Sequence, residues 1–199
     1  MREFLLFARK AWTKPFNINE LPKAGRMDVV ARCITNAFFI SYSIRKDTNF
    51  FVSLNGPPNP PLLLKFIGNE LKGIYYDERS VGGKINEALK KFYGSKKLRE
   101  NDFKISEGFY ISEDSFEKFL KFKSFNKKIV YLHEKGIDIR NFDFAGNEIF
   151  VLGDHKGLPK KAEKFLDKIK ARKVSVGPRS YLASHCIVIV QNELDRRGL

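Results

Sequence analysis

Two stretches near the end of the chain join glycine to proline where an apolar run stops. The first, GDHKGLPKKAEKFL (153–166), follows EIFVL. Gly153 ends an expected strand, Gly157 and Pro159 shape a turn, and a helix follows. Such a loop lets backbone N–H groups approach a ligand closely. It lacks the GxGxxG and GxxxxGK[ST] spacings, so neither a dinucleotide fingerprint nor a P-loop is supported. The second, VSVGPRSYLASHC (174–186), closes a short strand at Gly177-Pro178. Its backbone groups suit the edge of an adenosine, and Ser180 is placed to cap the helix that follows. For both loops an ordinary structural turn is the competing explanation.

A third constellation is GRMDVVARCITNAFFISYSIRKD (25–47). On a helix, Asp28 and Arg32 lie one turn apart. As a surface salt bridge they contribute ~0.3–0.5 kcal/mol. The alternative aims Arg26, Arg32 and Arg45 at phosphates and leaves Asp28 near a reacting base. Asp77, Glu78 and Arg79 stand at another helix entry, where acids complement the dipole and capping is the default explanation. KKFYGSKKLR (90–99) and EKFLKFKSFNKK (117–128) mix lysine with aromatics, a pairing that suits phosphates and bases. In the latter stretch Phe116, Phe119, Leu120 and Phe122 are read as a core face, with the lysines turned to solvent or RNA. The two cysteines and three histidines show no metal-ligand spacing, so no metal is expected. No Ser-His-Asp or Cys-His hydrolase pattern stands out.

These residues need elements to hold them. Strands are expected over 2–9, 49–55, 108–113, 128–133, 148–153 and 173–176, with two short strands within 62–72. Helices are expected over 27–44, 78–93, from Ser115 onward, and over 160–169. The last segment, SYLASHCIVIVQNELDRRGL, reads as helix on length despite the strand propensity of CIVIV. GPPNPP (56–61) and residues 94–107 read as loops. Strands alternating with helices imply a single α/β domain over 1–199, with a mostly parallel sheet flanked by helices. Ligands in such sheets lie at the carboxyl ends of strands, where both glycine loops fall.

The net charge of +14 across 199 residues favours a polyanionic partner, nucleic acid above all. The competing source of such charge is a lysine-rich, heat-adapted composition. No apolar run approaches ~20 residues, so no membrane span is expected. The charged start MREFLLFARKAW lacks a signal-peptide pattern. With only two cysteines, a reducing, cytoplasmic setting is expected.

Taken in order, MREFLLFAR, GRMDVVARCITNAFFIS, PPNPP, GNELKG…DERSVG, VLGDHKGLP and VSVGPRSYLASHCIVIVQNELDRRG resemble the archaeal tRNA pseudouridine N1-methyltransferases, members of the knotted SPOUT class. The likeness is weakest over 94–127. It implies a deep C-terminal trefoil knot, a homodimer built around it, and S-adenosylmethionine as cofactor. The pocket would comprise Leu132, Gly153, Val176, Gly177, Pro178, Arg179, Ser180, Tyr181 and Cys186. The implied reaction is methyl transfer to N1 of pseudouridine at position 54, in the T-loop of tRNA. Asp28 is then the first candidate for accepting the N1 proton and Glu78 the second. Arg26, Arg32 and Arg45 would position phosphates or stabilise the developing anion. Two alternatives stand beside it: a ribosomal-RNA pseudouridine methyltransferase of the same class, and a non-catalytic RNA-binding protein that kept the fold.

Overall fold

The computed structural model describes residues 1–95 and 102–199. Its centre is strand β1 (Arg2–Ala8), buried along its whole length. Phe4, Leu6 and Ala8 point into one apolar layer, Leu5 and Phe7 into another. That two-sided burial is why the run is continuously apolar rather than alternating. Helix α1 (Met27–Phe38) lays Met27, Val30, Ala31, Ile34 and Ala37 on the first face.

The expected helix to residue 44 stops instead at Phe38. A hairpin of two-residue strands follows, β2 (Phe39–Ile40) and β3 (Ser43–Ile44), turning at Tyr42 with φ +67°. Twelve helical residues already span roughly 18 Å, close to the length of β1. The chain must therefore reverse there to enter β4 (Thr48–Leu54), which lies parallel to β1.

Strand β5 (Leu62–Ile67) returns antiparallel to β4. The second strand expected before residue 72 is absent. Gly68 packs so tightly on the carbonyl of Thr48 that an added Cβ would lie 2.2 Å from it, and the chain turns away. Helix α2 (Glu78–Gly94) is capped by Asp77, which accepts the Ser80 N–H at 2.8 Å. The loop expected over 94–107 contains β6 (Phe103–Ser106), which pairs with β7 (Phe109–Ser112). The distal part of the basic stretch at 90–99, residues 96–99, lies outside the described residues.

Ser115 caps α3 (Phe116–Lys123) by accepting the Lys118 N–H at 3.1 Å. The core reading there holds for Phe116, Phe119 and Leu120 but not for Phe122, whose side chain stands in solvent. Strand β8 (Lys128–Asp138) runs past the expected limit at 133. β9 (Glu148–Gly153), α4 (Lys160–Lys168), β10 (Arg172–Ser175) and α5 (Ala183–Arg196) complete the chain.

The eight-stranded sheet has the order β10-β8-β9-β1-β4-β5-β7-β6, parallel from β10 to β4 and antiparallel beyond. Helices α1, α2 and α5 supply the first apolar layer, α3 and α4 the second. A mixed α/β fold with a mostly parallel sheet was the class expected.

Gln191 of α5 ties the first layer to the sheet. Its amide donates to the Ala37 carbonyl (3.2 Å) and Thr48 Oγ1 (3.1 Å) and accepts from Arg2 Nη1 (2.8 Å). Gln191→Leu removes these bonds from a buried site, leaving Arg2 to Asp195 and Leu199 and Thr48 to Asp47. It is expected to cost about 2–3 kcal/mol in urea unfolding with an unchanged m-value.

Candidate active site

A bulge within β8 and the loops that follow β9 and β10 converge to enclose a cavity of about 600 Å³. The β8 contribution is irregular. β8 pairs with β10 through Val130 and Tyr131, bulges out, and pairs again from Ile137. The bulge carries Leu132, His133 and Glu134 to the cavity. Gly136 lies against the β10 backbone so closely that a Cβ would sit 2.4 Å from Val174 N.

The β9 loop is pinned by Asp154. Its Oδ2 accepts the Arg9 N–H at 2.7 Å, its Oδ1 accepts the Lys156 N–H at 2.9 Å, and its own N–H reaches the Phe7 carbonyl at 3.2 Å. Gly153 faces the Gly157 backbone, where a Cβ would fall 2.4 Å from Gly157 C. In the β10 loop the Ser175 hydroxyl donates to the Gly177 carbonyl at 2.9 Å. Gly177 lies under the Tyr181 ring, 2.9 Å from where a Cβ would be. Ser180 is not a helix cap: α5 begins after Leu182 without a side-chain cap, and the Ser180 hydroxyl donates to Glu134 at 2.5 Å. It therefore bridges the β8 and β10 loops. The cavity walls combine apolar Leu132, Leu152 and Leu158 with Glu134, Asp154 and Glu163, while Tyr131 donates to Glu163 at 2.9 Å. Burial pushes the Cys186 thiol up to about 11, so the wall it forms is uncharged.

A second cluster stands beside the cavity at the start of α1. Gly25 and Arg26 are both left-handed, with φ +71° and +67°. For a non-glycine residue that conformation costs about 1–3 kcal/mol and persists only where the surroundings enforce it. Arg26 Nε and Nη2 each donate to Asp28 at 2.9 Å. The Arg26 side chain remains 42% exposed whereas that of Asp28 is 10% exposed. Burial alone would raise the Asp28 carboxyl. The Arg26 hydrogen bonds, with the charges of Arg26 and Arg32, outweigh it and hold the group below the usual carboxylate range. One turn on, Arg32 Nε donates to Glu78 Oε1 at 2.8 Å. Arg26 also lies within electrostatic reach of Asp154 in the cavity wall. Arg26, Asp28, Arg32 and Glu78 are thus brought together. Arg45 is not, because it follows β3 at the opposite end of the strands, where its guanidinium is held by Asp195.

Over residues 1–199 the chain matches the family model described as "Putative SAM-dependent RNA methyltransferase". The chain belongs to that family. Among curated proteins it is 43% identical to one from Methanococcus vannielii, covering 98% of this chain and 99% of the relative. It is 41% identical to one from Methanocaldococcus jannaschii (100% and 98%) and 41% to one from Methanocella arvoryzae (99% and 100%). All three are named tRNA (pseudouridine(54)-N(1))-methyltransferase. The crystal structure of Archaeoglobus fulgidus Nep1 bound to S-adenosylhomocysteine shares the fold, with a TM-score of 0.68 at 12% identity, covering 100% of this chain and 99% of Nep1.

A methyltransferase of this family needs a slot for a flat base, polar partners for a ribose, and tolerance for a sulfonium. The cavity meets those terms with its leucine walls, closely approachable glycine backbone and three wall carboxylates. Of the residues expected in the pocket, Leu132, Gly153, Val176, Gly177, Arg179, Ser180, Tyr181 and Cys186 line it. Pro178 does not. Its part is to fix the backbone between Gly177 and Arg179. Asp154 and Glu134 are among the lining residues not expected from sequence. Asp154 had a signal, since an aspartate just after a strand-ending glycine is a common former of side-chain-closed turns. For Glu134 the one signal is Gly136, a glycine within a strand run that marks a bulge or close backbone approach without saying which side chain it carries inward.

Proposed function

We propose that this protein transfers a methyl group from S-adenosylmethionine to N1 of pseudouridine at position 54 of tRNA. One observation carries the reading: the chain is 41% to 43% identical, over nearly its whole length, to relatives named for that reaction. It favours tRNA over the ribosomal-RNA alternative. The built cavity counts against a non-catalytic binder.

Leu132, Gly153, Val176, Gly177, Arg179, Ser180, Tyr181 and Cys186 would hold the cofactor, which supplies an activated methyl group when bound. The protein's own work is alignment and charge stabilisation. The N1–H of pseudouridine is weakly acidic, and its proton leaves to water as the methyl acceptor becomes anionic. Asp28 is tied by two-point hydrogen bonds to Arg26, which hold its carboxyl below the usual carboxylate range and occupy both of its oxygens. Its role in this scheme is to aim Arg26, whose exposed guanidinium stabilises the N1 anion. Glu78 holds Arg32 in the same manner, toward phosphate. Arg45, held by Asp195, is left out of this set.

The family reading also brings a homodimer, a knotted C-terminal region, a single catalytic domain over 1–199 and a cytoplasmic setting. Exposed Leu182 and Val188 on and beside α5 support the dimer. Among the described residues no helix is long and apolar enough to cross a membrane.

The test is mass spectrometry of pseudouridine-containing tRNA after incubation with protein and cofactor. The mass should rise by one methyl group, and it should stay constant when uridine replaces pseudouridine. A gain on uridine, or on ribosomal RNA alone, overturns the assignment.

A further inference from the structure

Helix α3 and the turn after it present two phenylalanines to water. Phe122 is 72% and Phe125 is 89% exposed, and neither has an aromatic partner among the described residues. Exposed rings that cluster mark an interaction surface. The segment 117–128 carries five lysines against one glutamate. Lys118 pairs with Asp114, and Lys123 and Lys127 turn toward Glu3. Lys121 and Lys128 are exposed and have no ion pair among the described residues. A cleft of about 860 Å³ opens beside Phe122, between α3 and strands β4, β5 and β7, with Phe51, Lys65 and Ile67 in its walls.

This surface is far from the methyl-transfer cavity. The end of α3 meets the start of β1, where Lys123 pairs with Glu3, and Lys128 opens β8. The cavity lies at the other end of those strands, roughly 17 Å away along β9 at the usual rise per residue.

We propose that Phe122 and Phe125, with Lys121 and Lys128, form a second RNA contact that grips the substrate tRNA away from the nucleotide being methylated. The proposal rests on the reading of this protein as a tRNA methyltransferase. Rings offer a sequence-tolerant stacking platform, and unpaired lysines meet phosphates. That combination fits unstacked nucleotides with their backbone better than it fits a protein, whose apolar docking faces are depleted of lysine.

The test uses the full chain, a tRNA transcript, and two double variants, Phe122→Ala/Phe125→Ala and Lys121→Gln/Lys128→Gln. All four side chains are exposed, so folding should survive. Calorimetric binding of S-adenosylmethionine checks this. The aromatic variant should bind tRNA about 10-fold or more weakly. The lysine variant should flatten the log–log salt dependence of binding by about 1.5. In both, KM for tRNA should rise while kcat at saturating tRNA holds. Wild-type tRNA affinity and salt slope in both variants overturn the proposal. So does unchanged RNA affinity with an altered sedimentation mass, which would make the surface a protein contact. If the wild type binds tRNA through these residues yet transfers no methyl group, the surface stands and the proposed reaction falls.

Discussion

Replacing Arg26 by alanine is expected to lower kcat about 100-fold, the loss typical when one preorganised donor to a developing anion is removed. The cofactor affinity should not move, because Arg26 is outside the cavity lining. The expectation follows from a local chain of causes. Gly25 and Arg26 both take left-handed backbone at the entry to α1, which turns the Arg26 side chain back onto Asp28. Asp28 is buried and ionised, so its partner is fixed in direction while staying open to solvent on its other side. Asp28→Asn should fall less far than Arg26→Ala, since the guanidinium survives but loses its aim. Arg26→Lys should recover only part of the rate, because an ammonium cannot match the two-point contact with a carboxylate. A pH profile separates this role from a structural one. A nearby guanidinium lowers the pKa of the N1–H, so wild-type turnover should rise with pH earlier than that of Arg26→Ala. If the rising limb stays put in the variant, or kcat survives, Arg26 has no part in stabilising the anion. If Asp28→Asn alone abolishes the pH dependence, the carboxylate is the proton acceptor after all.

The sequence carried the site unevenly, for physical reasons. The glycine loops were legible because a glycine that ends a buried strand is a local event, visible at 153 and 177 without knowledge of neighbours. The pairing of Arg32 with Glu78 was not legible. The two lie 46 residues apart, and only the packing of α2 against α1 joins them. The expected neighbour of Arg32 was Asp28 at helical spacing, yet Arg26 takes that carboxylate from two residues away by leaving helical geometry. Phe122 falls outside the core face for a reason of angle. At about 100° per residue it lies roughly 120° from Phe116 around the helix, outside the arc of Phe116, Phe119 and Leu120. Lys123 falls inside that arc and resolves the conflict by stretching to Glu3. The last helix was ambiguous in CIVIV and was decided by tertiary context, since Ile187, Val190 and Leu194 bury one stripe against α1.

Gly153→Ala is expected to weaken S-adenosylmethionine binding about 10- to 100-fold while leaving a folded protein. The added Cβ would meet Gly157 C at 2.4 Å, Gly157 Cα at 2.6 Å and Leu158 N at 2.7 Å, all backbone atoms with no rotamer to retreat into. The loop must open, and Asp154 resists by holding Arg9 and Lys156 from one carboxylate. Overpacking of this kind costs about 1–3 kcal/mol, and each 1.4 kcal/mol is about tenfold in affinity if the bound state requires the closed loop. Gly157→Ala is the control. Gly157 has φ +66°, but nothing lies within 4 Å of its would-be Cβ. That change incurs a backbone penalty of about 1 kcal/mol and adds no clash. Calorimetry should therefore rank the two glycines by what stands opposite each Cβ, with Gly153→Ala much the worse binder and Gly157→Ala near wild type. Equal affinities in two folded variants would mean that closure of the β9 loop is not what the cofactor requires.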